Sequence, residues 1–448
     1  MQKIKPRTLS GFMELLPSEQ VSFDTMVQRL RNSFSLFGFT PLDTPLMESA
    51  EILLAKGGGE TEKQIYKLQK GETDLALRFE LTTSLAKYAT LHYNDLTFPF
   101  RRYEIGKVYR GERAQRGRFR EFYQADIDII GDGSLDTLNE AEVPSIIYKA
   151  LISLGLQKFN IRISNRKILG SFFEILGAGD KSTEIMRAVD KLDKMGPEKL
   201  SKVLSEDLNL KDNQITEIIN FVTNEGDPFE TLEKYKNKNE TFDQGTDELQ
   251  TLKTHLSNFG VPETHYKIDL SLARGLDYYT GTVYEVYLTD HPEVGSIGGG
   301  GRYDNLAEYF TERKMPGVGI TIGLTRLFYI LQEQKLLNEK FYTPPADALI
   351  IPMTDDLSHA VKLATKMREE GIKAQIYTEN KKFKVKISYA DKLKIPFVVF
   401  LGEDEIKSGT ITVKELTTGN QTTASPDMLI KGILEKLKKL NQNPPIHP

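Results

Sequence analysis

Apolar and polar residues follow two different periods along this chain, and the change of period divides it into regions. Apolar residues recur at helical spacing over residues 21–37 and 138–154, which predicts two long amphipathic helices. Short runs rich in tyrosine, valine, isoleucine and phenylalanine flank these helices and predict strands. Residues 1–164 and 263–335 share this mixed pattern, so we interpret them as one α+β domain that another segment interrupts.

The interrupting segment, at about residues 165–262, has only the helical period and carries many lysines and glutamates, which predicts a helical insertion. A polar, proline-containing stretch at residues 342–345 predicts a linker. After it, strand-length and helix-length patterns alternate, which is typical of a sheet whose parallel strands are joined through helices. Residues 346–448 are therefore predicted to form a small α/β domain, after a first domain at residues 1–335.

Composition narrows the class of protein without identifying it. The 448 residues are 39% hydrophobic and 27% charged, which is ordinary for a globular chain of several domains. No apolar run approaches the roughly 18 residues that cross a bilayer, and the N-terminus lacks a secretory pattern, so we expect no membrane association and a cytoplasmic location. The absence of cysteine and the scattered positions of the six histidines argue against disulfides, thiolate nucleophiles and zinc, so no metal-binding residues are predicted.

The strongest local charge lies between residues 101 and 121, where eight basic residues occur with three acidic ones. Strand-like patterns at residues 105–110 and 119–130 predict a hairpin whose loop, residues 111–117, contains glycine. Such a charge run is often only a solvated surface, and this interpretation stays open. A rigid hairpin can, however, hold arginine guanidinium groups against phosphate oxygens, which makes a nucleotide or a nucleic acid the natural ligand.

Three further segments combine glycine with residues of chemical interest. Residues 272–285 contain an arginine and paired tyrosines before a predicted strand, and four glycines follow at residues 298–301. The glycine run either lets a ligand or another backbone approach closely or is only a flexible loop. Residues 317–327 have the pattern of a strand followed by a helix that carries Arg326, and the alternative for that side chain is an exposed surface arginine.

Polar side chains alternate within the second strand of the predicted hairpin. Gln124, Asp126 and Asp128 share one face of this strand, and such a set is unusual unless it lines a polar pocket. No phosphate-binding loop of the Walker type is present, and no dinucleotide-binding glycine motif follows a strand. A nucleotide that binds this chain is therefore expected to be held by arginines.

These segments occur in the order and spacing of the histidyl-tRNA synthetases. Residues 274–281 resemble the family's histidine-specific signature, and residues 37–45, 109–124 and 319–326 resemble motifs 1, 2 and 3 of the class II synthetases. Residues 389–399 are similar to part of the family's anticodon-binding domain. The resemblance implies an α+β fold with a class II antiparallel sheet flanked by helices, a helical insertion, and a C-terminal α/β anticodon-binding domain, assembled as a homodimer.

The resemblance also implies an activity, the ATP-dependent ligation of L-histidine to tRNA(His) through a histidyl-adenylate intermediate, with Mg²⁺ accompanying ATP. The implied catalytic residues are Arg110 and Arg274. The implied contacts to histidine are Glu80, Thr82, Arg110, Gln124, Asp128, Arg274, Tyr278 and Tyr279. The implied contacts to ATP are Arg110, Glu112, Phe122 and Arg326. Those to the tRNA acceptor end are Arg113, Gln115 and Arg116.

Two alternatives from other classes share this resemblance. One is a catalytically inactive, synthetase-like regulatory subunit of histidine biosynthesis, which usually lacks the C-terminal domain and loses the arginines. The other is a module that senses uncharged tRNA, which is normally part of a larger kinase. This chain retains Arg110, Arg274 and Arg326 as well as residues 346–448, and these features favour the synthetase.

The role implied for Arg274 leads to a prediction about rate. Replacement of Arg274 by alanine should slow adenylate formation by about a hundredfold or more, because the guanidinium would no longer stabilise charge at the α-phosphate. Ground-state binding of histidine should change less. Single-turnover kinetics measure the first quantity and equilibrium titration the second. A variant with a near-normal rate and a lower melting temperature would instead assign Arg274 a structural role beside Asp277.

Overall fold

The computed structural model describes residues 3–55, 60–273, 278–337 and 342–442. The chain divides into two compact units, residues 1–337 and 338–448. Among the helices of the described ranges, none is long and apolar enough to cross a membrane.

The first unit alternates between strands and helices through most of its length. Its described strands are β1 (Thr40–Pro41), β2 (Met47–Ser49), β3 (Lys67–Lys70), β4 (Thr73–Leu77), β5 (Phe100–Tyr109), β6 (Glu121–Ile130), β7 (Phe159–Asn165), β8 (Tyr266–Ile268), β9 (Thr282–Leu288), β10 (Ser296–Tyr303) and β11 (Gly317–Gly323). Its described helices are α1 (Pro17–Leu36), α2 (Ala50–Leu53), α3 (Glu60–Gln64), α4 (Thr82–Leu91), α5 (Leu138–Ser153), α6 (Arg166–Ile175), α7 (Ser182–Val189), α8 (Leu192–Met195), α9 (Pro197–Lys202), α10 (Asp212–Val222), α11 (Pro228–Glu233), α12 (Glu240–Asn258) and α13 (Leu324–Glu333). Short 3-10 helices lie at Gly179–Lys181, Glu263–His265, Pro292–Val294 and Leu306–Tyr309, and a π-helical turn lies at Val203–Asp207.

An eight-stranded sheet in the order β1-β5-β6-β11-β10-β9-β7-β8 forms the centre of this unit. All neighbouring pairs are antiparallel except β1–β5 and β7–β8, which are parallel. The predicted antiparallel sheet with flanking helices is therefore confirmed. A second, three-stranded antiparallel sheet has the order β2-β4-β3.

The hairpin β5–β6 shows why the large sheet has one apolar and one polar face. Side chains alternate between the two faces of a strand, and in β6 the apolar members Ala125, Ile127 and Ile129 are all completely buried. Helices α1 and α5 pack against each other and against strands of this sheet, as amphipathic helices do when they cover an apolar face. On the opposite face, Arg102 and Glu104 of β5 lie beside Asp128 and Asp126 of β6, so charged side chains gather there.

The predicted helical insertion consists of α6 to α12, between β7 and β8. Asn165 marks its beginning, because the side-chain oxygen accepts a hydrogen bond from the backbone N–H of Lys167 at 3.0 Å and so caps α6. The insertion has aromatic packing of its own, in which the rings of Phe172 and Phe221 stack with centroids 4.0 Å apart. Helix α12 packs against α5 and α6 and thereby joins the insertion to the layer that covers the sheet.

The second unit is an α/β domain built on one five-stranded sheet. Its described elements are β12 (Ala348–Pro352), α14 (Ser358–Glu369), β13 (Ala374–Ile376), α15 (Phe383–Lys392), β14 (Phe397–Leu401), α16 (Glu403–Ser408), β15 (Ile411–Glu415), β16 (Gln421–Ala424) and α17 (Pro426–Gln442). The strand order is β13-β12-β14-β15-β16, in which β13, β12 and β14 are parallel and the last two strands are antiparallel. The parallel alternation was predicted, whereas β16 and α16 were not. Strand β16 is polar and mostly exposed, so it carries no apolar signal.

The glycine run at residues 298–301 is not a flexible loop but the middle of β10, where it lies between β9 and β11. A Cβ atom added to Gly300 would come within 2.1 Å of the carbonyl oxygen of Gly319 on β11. One added to Gly298 would come within 2.5 Å of the carbonyl oxygen of Thr321. The missing side chains therefore let another backbone approach closely, which is the first of the two interpretations given for this run.

Two arginines are completely buried on the polar side of the sheet, and carboxylates lie against them. Arg78 Nη1 lies 2.7 Å from Glu104 Oε1, and the same guanidinium donates to two backbone carbonyl oxygens at 2.7 Å. Arg102 lies 2.9 Å from Asp128 and 3.7 Å from Glu104. We call these four residues the buried charge array. Removing one partner of a buried ion pair leaves an uncompensated charge, so the array strongly favours one register of these strands.

The buried charge array leads to a prediction about stability. Replacing Glu104 with glutamine should lower the free energy of unfolding by about 3–5 kcal/mol, because Arg78 would keep its charge at a buried site. Glu62→Gln is the matched control, since Glu62 forms an exposed ion pair with Lys67 at 3.1 Å and should contribute less than about 1 kcal/mol. Urea unfolding at neutral pH measures both variants. Equal losses in the two variants would contradict the importance given to the array.

Candidate active site

One cavity of about 500 Å³ lies over the polar face of the large sheet and gathers most of the predicted site residues. This volume falls in the range of small-molecule binding sites. The predicted residues that line it are Glu80, Thr82, Arg110, Glu112, Phe122, Gln124, Tyr278, Tyr279 and Arg326. They come from segments that are far apart in the sequence, so it is the fold that brings the arginine-rich, tyrosine-rich and carboxylate-containing segments together.

Glu80 and Thr82 lie at the beginning of α4, where backbone N–H groups have no partner within the helix. The Glu80 carboxylate accepts hydrogen bonds from the N–H groups of Thr82 and Thr83, the latter at 2.9 Å. These bonds fix the carboxylate at the cavity wall and leave lone pairs for a ligand, because a carboxylate can accept about four hydrogen bonds. The Thr82 side chain is hydrogen-bonded to the Tyr278 phenol, and burial raises the pKa of that phenol well above its ordinary value.

Arg110 directly follows β5 and lies between two aromatic rings. Its guanidinium carbon is 4.4 Å from the ring centroid of Phe79 and 5.1 Å from that of Phe122. Its Nε donates to the carbonyl oxygen of Phe79 at 3.3 Å. Burial lowers the pKa of Arg110, while the charges of Glu112 and Glu80 act in the opposite direction. An arginine stays protonated at neutral pH, so the cavity contains an oriented planar cation suited to phosphate or carboxylate oxygens.

Arg326 lies in the first turn of α13, directly after β11, and is partly buried at the cavity wall rather than exposed on the surface. Its Nη1 donates to the carbonyl oxygen of Ser296 at 2.7 Å, and its Nη2 donates to that of Val294. Burial lowers the pKa of Arg326, and the positive charge of Arg118 lowers it further. Arg118 in turn lies 3.3 Å from Glu112, so this end of the cavity contains two arginines and one carboxylate.

The floor of the cavity is the polar face of β6 and β11. Gln124 lines the cavity, but Asp128, four residues further along β6, does not. The Asp128 Oδ1 accepts a hydrogen bond from the Tyr303 hydroxyl at 2.7 Å, and Oδ2 forms an ion pair with Arg102 Nη2 at 2.9 Å. A Cβ atom at Gly319 would lie 2.0 Å from Asp128 Oδ1, so glycine provides the room for this carboxylate. Asp128 is therefore held below the floor by one hydrogen bond and one ion pair, although its Oδ2 accepts no hydrogen bond from the described residues.

Asp126 lies between Gln124 and Asp128 on the same face and is only 1% exposed. It is hydrogen-bonded to the side chain of Thr321, which lines the cavity, whereas its Oδ1 has no hydrogen-bond partner among the described residues. Burial raises the pKa of Asp126 well above its ordinary value, and Asp128 adds to the rise although Arg102 opposes it. Burial also raises the pKa of Asp128, again against the effect of Arg102.

Tyr279 lies against β10 at the cavity wall. A Cβ atom added to Gly301 would come within 2.9 Å of the Tyr279 ring, so the glycine lets this ring lie on the strand. The ring centroids of Tyr278 and Tyr279 are 4.9 Å apart. Burial, together with the negative charges of Asp128 and Glu80, raises the pKa of Tyr279. The phenol therefore stays protonated at neutral pH and can donate a hydrogen bond.

The residues predicted to meet the tRNA acceptor end do not line the cavity, although Glu112 and Arg118 beside them do. Arg113, Gln115 and Arg116 are exposed in the loop between β5 and β6. Arg116 contacts Glu333 of α13, with Nε at 3.0 Å and Nη2 at 2.8 Å from one carboxylate oxygen. Arg274, with residues 275–277 of the predicted signature, lies outside the described residues.

Several cavity residues were not singled out from the sequence. They include Gln64, Arg118, Phe119, Tyr284, Ser296, Ile297 and Thr321. The available signal for Thr321 was its polar side chain between apolar neighbours in β11. Within the ranges that the structure describes, no group of three or more histidine, aspartate or glutamate side chains is placed to hold a metal ion.

Two family models match this chain. The one described as Histidyl-tRNA synthetase matches residues 11–327. This range includes all the described strands and helices of the first unit except the last residues of α13. The chain therefore belongs to the histidyl-tRNA synthetase family. The other model, described as Anticodon binding domain, matches residues 347–436 and confirms the type of the C-terminal α/β domain.

Relatives named histidine–tRNA ligase align with nearly the whole chain of this family member. The relative from Clostridium tetani is 52% identical over 431 residues, which are 96% of this chain and 98% of the relative. The relative from Finegoldia magna is 44% identical over 438 residues, which are 97% of this chain and 100% of the relative.

Solved structures of the histidyl-tRNA synthetase family have the same fold. The histidyl-tRNA synthetase from Nostoc sp. PCC 7120 superposes with a TM-score of 0.87 at 38% identity, over 97% of this chain and 100% of that chain. A structure from Bacillus halodurans, described as an ATP phosphoribosyltransferase regulatory subunit/histidyl-tRNA synthetase, has a TM-score of 0.72 at 21% identity, over 90% and 98% of the two chains. The second likeness shows the fold alone, and the regulatory alternative is not favoured.

The raised pKa of Asp126 leads to a prediction about pH. A carboxyl with a raised folded pKa contributes stability that is present below its unfolded pKa of about 3.9 and is lost as pH rises through the folded value. Asp126→Asn removes this loss, so the variant should gain stability over the parent protein as pH rises from about 5 to about 8. The gain should approach about 1.4 kcal/mol for each unit of pKa shift covered.

Urea unfolding at both pH values measures this gain. Asp132→Asn is the control, because Asp132 is exposed just beyond the end of β6. A stability difference between Asp126→Asn and the parent that is the same at both pH values would contradict the raised pKa.

Proposed function

We propose that this chain charges tRNA(His) with L-histidine, using ATP that binds as its Mg²⁺ complex. In the first step, a carboxylate oxygen of histidine attacks the α-phosphorus of ATP, and pyrophosphate leaves as histidyl-adenylate forms. In the second step, a ribose hydroxyl at the 3′ end of the tRNA attacks the histidyl carbonyl carbon, and AMP leaves. The observation that carries this proposal is the cavity that gathers residues from separate motifs around Arg110.

Arg110 is proposed to hold the α-phosphate and the carboxylate of histidine. Its guanidinium is oriented by Phe79 and Phe122 in the protein without substrate, so little reorganisation is needed when charge builds on the phosphoryl oxygens. The reaction has no covalent intermediate with a protein nucleophile, so positioning and electrostatic stabilisation supply the rate. Arg274 is assigned to the opposite side of the α-phosphate by resemblance to the family signature alone.

The remaining ATP contacts are proposed along the wall between Phe122 and Arg326. Phe122 offers a ring face on which adenine can stack, and Glu112 can accept hydrogen bonds from the adenine end. Arg326 is held by two backbone carbonyl oxygens and can meet the γ-phosphate. The Mg²⁺ ion belongs to the nucleotide substrate and neutralises part of its charge.

Histidine is proposed to bind with its α-amino group toward Glu80, Thr82 and Gln124. The Glu80 carboxylate and the Gln124 amide oxygen are acceptors, and Gln124 Oε1 has no hydrogen-bond partner among the residues described. The imidazole ring is proposed to lie between Tyr279 and the floor that Asp128 supports. An apolar side chain in this place would leave buried polar groups unpaired, which gives strong discrimination.

Two parts of the chain are proposed to contact tRNA, one because its side chains are exposed and the other because it is an anticodon-binding type of domain. Arg113, Gln115 and Arg116 lie on an exposed loop that can meet the acceptor end of the tRNA. The second unit is proposed to bind the anticodon. Resemblance to motif 1 supports a homodimer, and a function in protein synthesis supports a cytoplasmic location.

The test of this proposal is ATP–pyrophosphate exchange by the full chain with each of several amino acids. Histidine alone should support exchange above the background rate. Exchange with another amino acid in place of histidine would contradict the substrate assignment. Saturable binding of histidine without any exchange would instead favour the regulatory alternative.

The division into two units leads to a prediction about truncation. A chain that ends near Thr343 should still form histidyl-adenylate, because the proposed contacts to ATP and histidine all precede it in the sequence. Charging of tRNA should fall, because binding energy from a remote part of a large substrate positions the reacting end. Pyrophosphate exchange and tRNA charging are measured on one sample, with sedimentation to compare its assembly state with that of the full chain. A truncated protein that charges tRNA as well as the full chain would contradict anticodon binding by the second unit.

A further inference from the structure

Among the described residues, three buried carboxylates lie under the cavity floor, those of Glu104, Asp126 and Asp128, whereas two guanidinium groups, those of Arg78 and Arg102, lie against them. Arg78 lies 2.7 Å from Glu104, and Arg102 lies 2.9 Å from Asp128, so each arginine of the buried charge array has a close carboxylate. Asp126 is the next carboxylate on the same strand face, and no ion pair of the described residues includes it within 4.0 Å. Among the described residues, the positive charges that act on Asp126 are those of Arg102, which is already paired with Asp128, and Arg110 at the cavity wall.

Charged and polar groups from several described elements lie around Asp126. They are Gln124 and Asp128 on β6, Arg102 and Glu104 on β5, Thr321 on β11, Glu80 before α4, and Arg110 and Tyr279 at the cavity wall. Arg110 is assigned to phosphate and carboxylate oxygens by the proposed function. At the histidine end, Glu80 lines the cavity and Asp126 lies directly beneath its floor, hydrogen-bonded to the lining residue Thr321, so a ligand can supply positive charge to these two carboxylates.

Two buried hydrogen-bonding atoms at this end of the cavity are acceptors rather than donors. Asp126 Oδ1 and Gln124 Oε1 are both buried acceptors without hydrogen-bond partners among the described side chains and backbone. A neutral imidazole ring has one N–H donor and one acceptor nitrogen, whereas an imidazolium ring has two N–H donors. The α-ammonium group of histidine can donate hydrogen bonds to Glu80. A second cationic group with two N–H donors can donate to the acceptors of Asp126 and Gln124 at the floor.

We propose that Asp126 is a specificity-determining residue, which makes the site select histidine with its side chain in the protonated imidazolium form. The proton balance closes without another reactant: the Asp126 carboxyl loses its O–H proton, and the bare ring nitrogen of a neutral histidine gains an N–H bond. Burial and the neighbouring Asp128 favour the protonated carboxyl in the protein without histidine, which makes this proton available. The inference rests on the proposed function, because it takes histidine as the ligand.

The direct test is ¹⁵N NMR of ring-labelled L-histidine bound to the full chain at about pH 8, where free imidazole is mostly neutral. No ATP is added, so the bound amino acid is not consumed. Both ring nitrogens of bound histidine should show the shifts of a doubly protonated imidazolium ring. A bound ring with one N–H group would overturn the inference and leave the proposed function intact. Absence of saturable histidine binding would overturn both.

A second test measures selection rather than protonation. The probe is 1,2,4-triazolylalanine, whose ring has nearly the shape of imidazole but stays neutral near pH 7. The parent protein should prefer histidine, measured as the ratio of the two kcat/KM values in pyrophosphate exchange. Asp126→Asn should reduce this preference by about tenfold to a hundredfold, which is the effect of one charge-assisted hydrogen bond.

The exposed Asp132→Asn variant is the matched control and should leave the preference unchanged. A structural defect at Asp126 would lower kcat/KM for both amino acids equally, and an unchanged ratio in Asp126→Asn would overturn the inference. Because asparagine is expected to stabilise this buried position at neutral pH, the variant should remain folded. If the variant unfolds, the NMR test on the parent protein still determines whether the bound histidine ring is doubly protonated.

Discussion

The pairing of buried arginines with buried carboxylates is the interaction on which the geometry of this site depends. Glu104 illustrates it, because the carboxylate meets Arg78 at 2.7 Å and also accepts hydrogen bonds from the Thr44 N–H at 3.0 Å and hydroxyl at 2.9 Å. One side chain of β5 thus ties together the segments that follow β1 and β4. A slip of one residue would send these charges to the apolar face, so the array specifies the register on which the cavity floor relies.

Absent side chains give the cavity its depth. Gly319 leaves room for the carboxylate of Asp128, and Gly301 leaves room for the ring of Tyr279. Both glycines belong to paired strands rather than to loops, so the pocket is formed within the rigid sheet. Polar groups on such a scaffold can be held in place before a ligand arrives, which is the condition for electrostatic catalysis. Both the packing of the sheet and the proposed chemistry therefore require glycine at these positions of β10 and β11.

Local periodicity predicted much of the fold. The two long helices, the hairpin β5–β6 and the helical insertion were recognisable because their apolar residues repeat over many positions. The order of the eight-stranded sheet was not recognisable in this way, because β6 and β11 pair across nearly two hundred residues. Short polar strands such as β16 carry almost no periodic signal, and their pairing partner defines them.

The sequence predicted about as much of the candidate site as it did of the fold. Alternation in β6 placed Gln124, Asp126 and Asp128 on one face, and resemblance to a family supplied roles for several cavity residues. Neither source showed that Arg102 and Tyr303 engage Asp128, because these contacts depend on register and on the position of a distant strand. The Asp126 oxygen that has no hydrogen-bond partner among the described residues likewise became visible only when its neighbours were in place. Sequence pattern indicates which residues share a surface, whereas tertiary structure decides which of them are already satisfied.

The position of the helical insertion has a consequence for how such proteins can change over evolutionary time. The insertion leaves β7 and returns through β8, which are hydrogen-bonded neighbours at one edge of the sheet. Two strands, β9 and β10, separate β7 from the cavity floor on β11 and β6, and no described residue of β7 or β8 lines the cavity. Parallel neighbours need a connection of about a dozen residues or more, but long connections add little further entropic cost. This edge can therefore gain or lose helices in a lineage while the floor keeps its register, and new surface for RNA or protein can arise there without disturbing the chemistry.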